Sequence, residues 1–317
     1  MQGLKDAKDA IRKARTIAIS GHVNPDGDSI GSLLSLGLGL ERMGKAVSMV
    51  STDGVPERYR MLPGAGRIAK AIGAPVDLAI TVDCSSKEIV GKAFDSLREA
   101  KEILEIDHHD FRRPFGTVSL IDARAAAVGE IIYKLLRQLR VRITPQIAQN
   151  LMTSIIVETS SFQLPNVTQF TFEVCTELIS RGVDFHTLVD TVFWSKGKAS
   201  AVLSGVCLAR CRFKDGGRIA WSVVTKADFR AAGGRDEDVD AVPDEIRTIR
   251  GVTIAVLFRE KSRDDLRVSL RSKGKINVAS IAEQYGGGGH FDVAGCTIEN
   301  SPASIRLLLK RVEKLLR

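Results

Sequence analysis

No stretch of this 317-residue sequence approaches the roughly 18 consecutive apolar residues of a membrane helix. A secretory signal is missing too, because residues 1–15 alternate charge with small apolar positions (Leu4, Ala7, Ala10, Ile11, Ala14) and read as an amphipathic helix. Lacking both, the chain is expected in the cytoplasm and off the membrane. Cysteine is scarce: Cys84, Cys175, Cys207, Cys211 and Cys296 are scattered and odd in number. The closest pair, Cys207 and Cys211, has no second pair beside it, which argues against a zinc site and for buried reduced thiols. Internal repeats and low-complexity tracts are absent as well. The only two tryptophans, Trp194 and Trp221, show no stacking pattern and are expected to be packing residues.

What is present is the composition of a folded protein. With 44% hydrophobic and 26% charged residues, the chain can bury a sizeable core, and its length suggests about two domains. The net charge of +8 is unevenly spread: residues 1–195 carry 23 Lys+Arg against 23 Asp+Glu, and residues 196–317 carry 23 against 15. The basic C-terminal part either meets anions such as phosphate groups or presents a merely solvated basic face.

The first third alternates apolar runs of strand length (16–20, 46–50, 78–82, 103–106) with helix-like stretches at 29–43 and 86–93. Such alternation predicts a mostly parallel sheet covered on both faces. Helical spacing then takes over at 128–139, 145–156 and 169–180, with Thr144 as the expected cap ahead of Pro145. A linker is expected at about 185–205, dividing an N-terminal domain (1–190) from a C-terminal one (191–317). Beyond it come strand candidates at 219–224, 253–258 and 266–270, a polar loop or helix start at 233–244, and a closing helix at 303–316.

Open parallel sheets place their sites where strands end, and residues that carry chemistry cluster there. After the first strand, His22, Asp26 and Asp28 fall in one loop, with Pro25 and Gly27 making a tight turn. By itself that run could be a turn with a capping Asp or Ser, the weaker of the two readings. Asp83 follows a later strand, and Asp107-His108-His109 follows another. Imidazole and carboxylate without thiolate suit Mn²⁺ and similar first-row cations. The set exceeds what one ion needs, whereas two cations about 3.5–4 Å apart would use it fully. Near the C-terminus, Gly286–Gly289 precede His290. Such glycines allow positive φ and close backbone approach to a ligand, and successive N–H groups there can form a nest for an anion.

These motifs resemble the DHH phosphoesterases. The carrying segments are HVNPDGDSIGS at 22–32, VDCS at 82–85, DHH at 107–109, and the glycine run with His290, Ala294 and Gly295. Within the family the chain is most similar to the oligoribonuclease and phosphoadenosine-phosphate phosphatase branch, with a DHH-associated C-terminal domain, and the likeness spans nearly the whole length. It implies an α/β fold with an N-terminal parallel-sheet catalytic domain and a second, smaller α/β substrate-binding domain. It also implies that His22, Asp26 and Asp83 hold one Mn²⁺, and that Asp28, Asp83 and His108 hold another, with Mg²⁺ or Co²⁺ as alternatives. On the same likeness, His109 faces the scissile phosphate, Asp107 orients the neighbouring imidazole, and Arg271, Ser272, Gly287, Gly288, Gly289 and His290 grip the nucleotide.

One departure concerns the family's Asp-Thr-Gly motif, which supplies a further ligand. Here the stretch reads Glu158-Thr159-Ser160, followed by Phe162 and then Gln163-Leu164-Pro165-Asn166 as in relatives. Glu158 can still ligate, although its extra methylene shifts the oxygen by about 1.5 Å unless the backbone retreats. A smaller change is Arg112, where relatives often carry Asn. The implied activity is hydrolysis of short oligoribonucleotides, adenosine 3′,5′-bisphosphate or linear dinucleotides, with a homodimer left open. The rivals are a pyrophosphatase or exopolyphosphatase, and a nucleotide-binding protein with a weakened metal site.

Overall fold

Five short strands rich in Ile, Val, Leu and Ala build the first sheet, all paired in parallel in the order β2 (Ala46–Val50), β1 (Thr16–Ser20), β3 (Leu78–Val82), β4 (Glu102–Asp107) and β5 (Val118–Ile121). The computed structural model describes residues 3–110, 112–289 and 291–316. They form two compact units, Met1–Ser195 and Lys196–Arg317. The first unit runs α1 (Leu4–Lys13), β1 (Thr16–Ser20), α2 (Gly27–Glu41), β2 (Ala46–Val50), β3 (Leu78–Val82), α3 (Lys87–Val90), α4 (Ala93–Leu97), β4 (Glu102–Asp107) and β5 (Val118–Ile121), then α5 (Val128–Gln138), α6 (Pro145–Glu158), α7 (Gln169–Ser180) and α8 (Phe185–Phe193).

Side chains alternate across a strand, so each strand serves two cores. Ile17, Ile19, Leu78, Ile80, Leu104 and Ile106 pack with α1, α2, α5 and α6, while Ala18, Ala79 and Ile103 face Val90, Ala93 and Leu97 of α3 and α4. Helix α2 is buried along almost its whole length, which explains why its sequence is apolar or small on every face. At Gly31 a Cβ would sit 2.5 Å from the Asn150 carbonyl oxygen, so this glycine is what lets α2 lie against α6.

The second unit comprises α9 (Lys198–Ala209), β6 (Arg212–Lys214), β7 (Ile219–Val224), α10 (Lys226–Ala232), α11 (Val242–Arg247), β8 (Ile254–Glu260), β9 (Asp265–Ser272), α12 (Ala279–Glu283), β10 (Gly288–Gly289), β11 (Val293–Glu299) and α13 (Pro302–Lys314). Its six-stranded mixed sheet has the order β10-β11-β9-β8-β7-β6, with only β7–β8 parallel. Among the described residues no helix is long and apolar enough to cross a membrane.

Several expectations need correction. The helix expected at 86–93 is two short helices, α3 and α4, broken at Gly91 with φ +67°. Strand β5 has no counterpart in the sequence reading. Most of the expected linker is helical, as α8 and α9 leave only residues 194–197 between them. Trp194 is not a packing residue, being 69% exposed. Trp221 meets the Phe258 ring edge-on at 5.9 Å.

Candidate metal centre

Because the strands of the first sheet all point the same way, the loops following β1, β3 and β4 emerge at one edge. Those loops carry His22, Asp83 and His108-His109. The amino end of α2 adds Asp26 and Asp28, and the carboxyl end of α6 adds Glu158. Three overlapping groups of ligand atoms result, each within 4.8 Å: His22 with Asp26 and Asp83; Asp28 with His108 and Glu158; and Asp83 with His108 and His109. Asp83 stands between them. Its Oδ2 lies 3.4 Å from His22 Nε2, and its Oδ1 lies 3.8 Å from His108 Nε2. Glu158 Oε1 is 3.8 Å and Asp28 Oδ2 3.9 Å from the same His108 nitrogen.

The imidazoles are oriented from behind. His22 Nδ1 donates to the Val23 carbonyl at 2.8 Å and His108 Nδ1 to the Ala125 carbonyl at 3.1 Å, which turns both Nε2 atoms into the cluster. His109 Nδ1 donates to Asp107 Oδ1 at 2.7 Å, while Arg112 Nε donates to Asp107 Oδ2 at 2.8 Å and Arg112 Nη2 lies 3.1 Å from Glu105 Oε1. Asp28 is wholly buried. It accepts from Ser154 Oγ at 2.6 Å, Ser32 Oγ at 3.0 Å and the Val128 amide at 2.9 Å. Asp26 is also the N-cap of α2, accepting from the Ser29 amide at 3.0 Å, so its capping role and its place beside His22 are compatible. Asn166 clamps the wall of the site by donating to the carbonyls of Ala126 and Glu158.

Strain concentrates here. Among the described residues seven non-glycine positions have φ between +45° and +66°, and five of them (Asn24, Asp83, Ser160, Ser161, Phe162) lie in these loops. Ser160, at φ +45°, occupies the left-handed conformation for which the family's glycine is suited.

A divalent cation fits this donor set. Carboxylates outnumber cationic groups, and several opposed ligand atoms stand 3.4–3.9 Å apart, longer than hydrogen bonds. Adjacent ligands on an octahedral ion with bonds of about 2.1 Å lie about 3 Å apart and opposite ones about 4 Å. In the protein alone the excess negative charge draws protons instead. Burial, then the carboxylates of Asp28, Asp83 and Asp26, push Glu158 up to about 10. Burial and Asp83 push Asp28 up to about 7. For His22 burial opposes the charge, but Asp26 and Asp83 prevail and push it up to about 11. Cys84, next to Asp83, is a buried thiol whose pKa burial pushes well above the ordinary value.

The residues expected to grip the nucleotide lie in the second unit. Arg271, on β9, is ion-paired through Nε to Asp244 at 3.0 Å. Ser272 corrects the expectation: it is buried and its hydroxyl donates to the Ile276 carbonyl at 2.6 Å, so it shapes a turn instead of offering a contact. Gly288 and Gly289 form β10 against Gly295 and Ala294 of β11. A Cβ on Gly287 would lie 2.2 Å from the Gly295 oxygen, so close packing on β11 already requires that glycine. Gly288 has open space around it. His290 lies outside the described residues.

Sequence reasoning missed Ser154, and it named Arg112 and Asn166 without giving either a role in the site. Ser154 had a signal, since it precedes Glu158 by one turn on the same face of α6.

Comparison with known proteins agrees with this layout. The DHH family N-terminal domain profile matches residues 16–155, and the DHHA1 domain profile matches residues 218–317. A Thermus thermophilus protein named bifunctional oligoribonuclease and PAP phosphatase NrnA is 30% identical over 286 residues, covering 89% of this chain and 84% of its own. The Bacillus subtilis protein of the same name is 25% identical, covering 92% of each chain. The crystal structure of an exopolyphosphatase-related protein from Bacteroides fragilis superposes with a TM-score of 0.92 at 20% identity, over 98% of this chain and 96% of that one, which shows a shared fold. The identity to the Thermus relative runs through most of both lengths, and on that ground the chain belongs to the DHH family, with a DHHA1 domain following the DHH domain.

Proposed function

We propose that the chain is a metal-dependent phosphoesterase, holding two Mn²⁺ ions and hydrolysing short oligoribonucleotides and adenosine 3′,5′-bisphosphate. The observation that carries this reading is the position of Asp83, whose two carboxylate oxygens face two different ligand groups. One carboxylate shared between two ions is the arrangement a two-metal hydrolase needs. His22 and Asp26 would complete one ion's ligands, and Asp28, His108 and Glu158 the other's. The nitrogen and oxygen donors favour manganese over calcium. The substrate class follows the two relatives, which are named for oligoribonuclease and PAP phosphatase activity.

Bound cations would supply Lewis-acid charge to the phosphoryl oxygens and lower the pKa of an attacking water. The chain's own groups do the rest. For His109 burial opposes the charge, but the hydrogen bond to Asp107 and the Asp107 and Asp83 charges raise its pKa above the ordinary histidine value, which favours the protonated ring. In that form it stabilises charge on the phosphate or passes a proton to the leaving oxygen. Burial alone would raise Asp107, but His109 and Arg112 more than offset it and keep the carboxylate ionised. In the second unit, Arg271, the backbone of Gly287–Gly289 and His290 would grip the nucleotide away from the scissile bond.

The test is turnover of labelled two- to seven-residue RNA in Mn²⁺. Asp83→Ala should keep its circular dichroism and lose activity, and more than about a tenth of the wild-type rate would rule out the bridge. Chelation should silence the wild type. Faster turnover of pyrophosphate than of RNA would replace this substrate class with inorganic phosphates.

A further inference from the structure

The N-terminal unit has no net charge, with 23 basic and 23 acidic residues. Even so, four of its arginines converge. Arg137 in the last turn of α5, Arg140 and Arg142 in the connection to α6, and Arg181 at the end of α7 line a recess of about 190 Å³ floored by Val141 and Ile143. At about 30 Å³ per water that is room for about six waters, enough for one or two phosphoryl groups.

Helix-end electrostatics account for part of this, since cations are favourable beside the carboxyl ends of α5 and α7. They do not account for Arg142, nor for four like charges around one recess. Among the described residues the single carboxylate paired with the cluster, Glu177, is 2.9 Å from Arg137 and 3.0 Å from Arg181, and also accepts from the Tyr133 hydroxyl. Glu177 thus holds two guanidinium groups in place and leaves the cluster with an excess of three positive charges. Arg140 and Arg142 are exposed and form no ion pair among the described residues. The Nε of Arg181 is buried without a hydrogen-bond partner among them.

The turn itself adds a second observation. The Val141 amide bonds the Leu136 carbonyl and the Arg140 amide bonds the Arg137 carbonyl, which is a Schellman ending for α5. Glycine is the usual residue at its left-handed position, and α7 places Gly182 there with φ +95°. Helix α5 places Arg140 there instead, with φ +61°, a conformation that disfavours a side chain. An arginine kept where glycine fits better is consistent with a use for the guanidinium.

We infer that Arg137, Arg140, Arg142 and Arg181 form a binding site for a small phosphate-bearing anion, such as free phosphate or a diphosphate. The site is separate from the acid–imidazole cluster. Val128, whose amide bonds Asp28, begins α5, and Arg137 follows nine residues later, about 14 Å along the axis at about 1.5 Å per residue. Planar guanidinium groups suit phosphate because each can donate two parallel hydrogen bonds.

Inorganic pyrophosphate is the probe, titrated calorimetrically into the full-length chain with no divalent cation added. Arg140→Gly combined with Arg142→Ala should weaken binding by at least about tenfold. A charge-matched control, Arg306→Ala with Lys310→Ala on α13, should bind as the wild type does. Arg140→Gly alone keeps the turn and should leave the melting temperature unchanged or higher, so lost binding there cannot be blamed on misfolding. Wild-type binding within about twofold in the double variant overturns the proposal, as does an equal loss in the control. Dependence on these arginines for RNA oligomers but not for pyrophosphate overturns the small-anion assignment.

Discussion

At the scale of single residues, the departure at Glu158 and Ser160 is the most informative. The family's shorter Asp and its Gly are both replaced, at two positions that adjoin the end of α6. Glu158 closes α6, and the backbone then passes through three left-handed residues, Ser160, Ser161 and Phe162, before α7 begins. If Glu158 is a ligand, Glu158→Ala should weaken Mn²⁺ binding by at least about tenfold, read by calorimetry; unchanged affinity would move Glu158 out of the ion's reach. Ser160 can be tested by stability alone. Ser160→Gly should melt at the wild-type temperature or above, whereas Ser160→Val should lose about 1–2 kcal/mol, because a β-branched residue resists φ near +45°. Equal melting of the two variants would show that this loop does not enforce its conformation.

At the scale of elements, β1, β3 and β4 were legible because both of their faces are buried. β1, β2 and β3 coincide with apolar runs bounded by polar residues, and α7 coincides with its helical spacing. The convergence of chemistry at the strand ends was legible for the same reason: His22, Asp83 and the 107–109 run each follow such an apolar run directly. What was not legible came from contacts between distant segments. Ser154 and Asp28 are 126 positions apart, and Ser272 looks like an accessible hydroxyl until β9 is paired and buries it. Helix α8 was overlooked although Asp184 caps it and Leu188 and Val192 face inward, because its half-exposed apolar residues imitate a boundary. Asp77 shows how such contacts set one element against another. Its carboxylate accepts from Lys101 and from the amides of Arg15 and Thr16, fastening the start of β1 to the approach of β3. Lys101 first, then those amides, hold its pKa below the ordinary carboxylate value. A depressed folded pKa means the contribution is present above about pH 4 and fades as pH falls further. The melting-temperature gap between wild type and Asp77→Asn should therefore shrink steadily below that pH, and a constant gap would show that Asp77 acts without its charge.

At the scale of the whole molecule, chemistry and charge are divided between the two units. Every candidate metal ligand precedes residue 160, and the entire net charge of +8 resides in residues 196–317. If the second unit only grips nucleotides, Arg271→Ala should raise the KM for short RNA by about tenfold, the scale of one charge-assisted contact. Hydrolysis of bis-p-nitrophenyl phosphate should change little, and RNA turnover should be the more salt-sensitive of the two activities. An equal loss of both activities would place Arg271 at the reacting phosphate.

The crowding of carboxylates around Asp83 has a consequence for how the protein would meet its metal. A cluster that keeps Glu158 at about 10 and His22 at about 11 stores acid at neutral pH, and an arriving cation must displace that acid. Loading is then an exchange of metal for hydrogen ions, so apparent affinity should climb about tenfold per pH unit for each one expelled. A weakly buffered sample should acidify in step with Mn²⁺ added, up to saturation, and a flat pH trace would mean that the ligands were already free of protons.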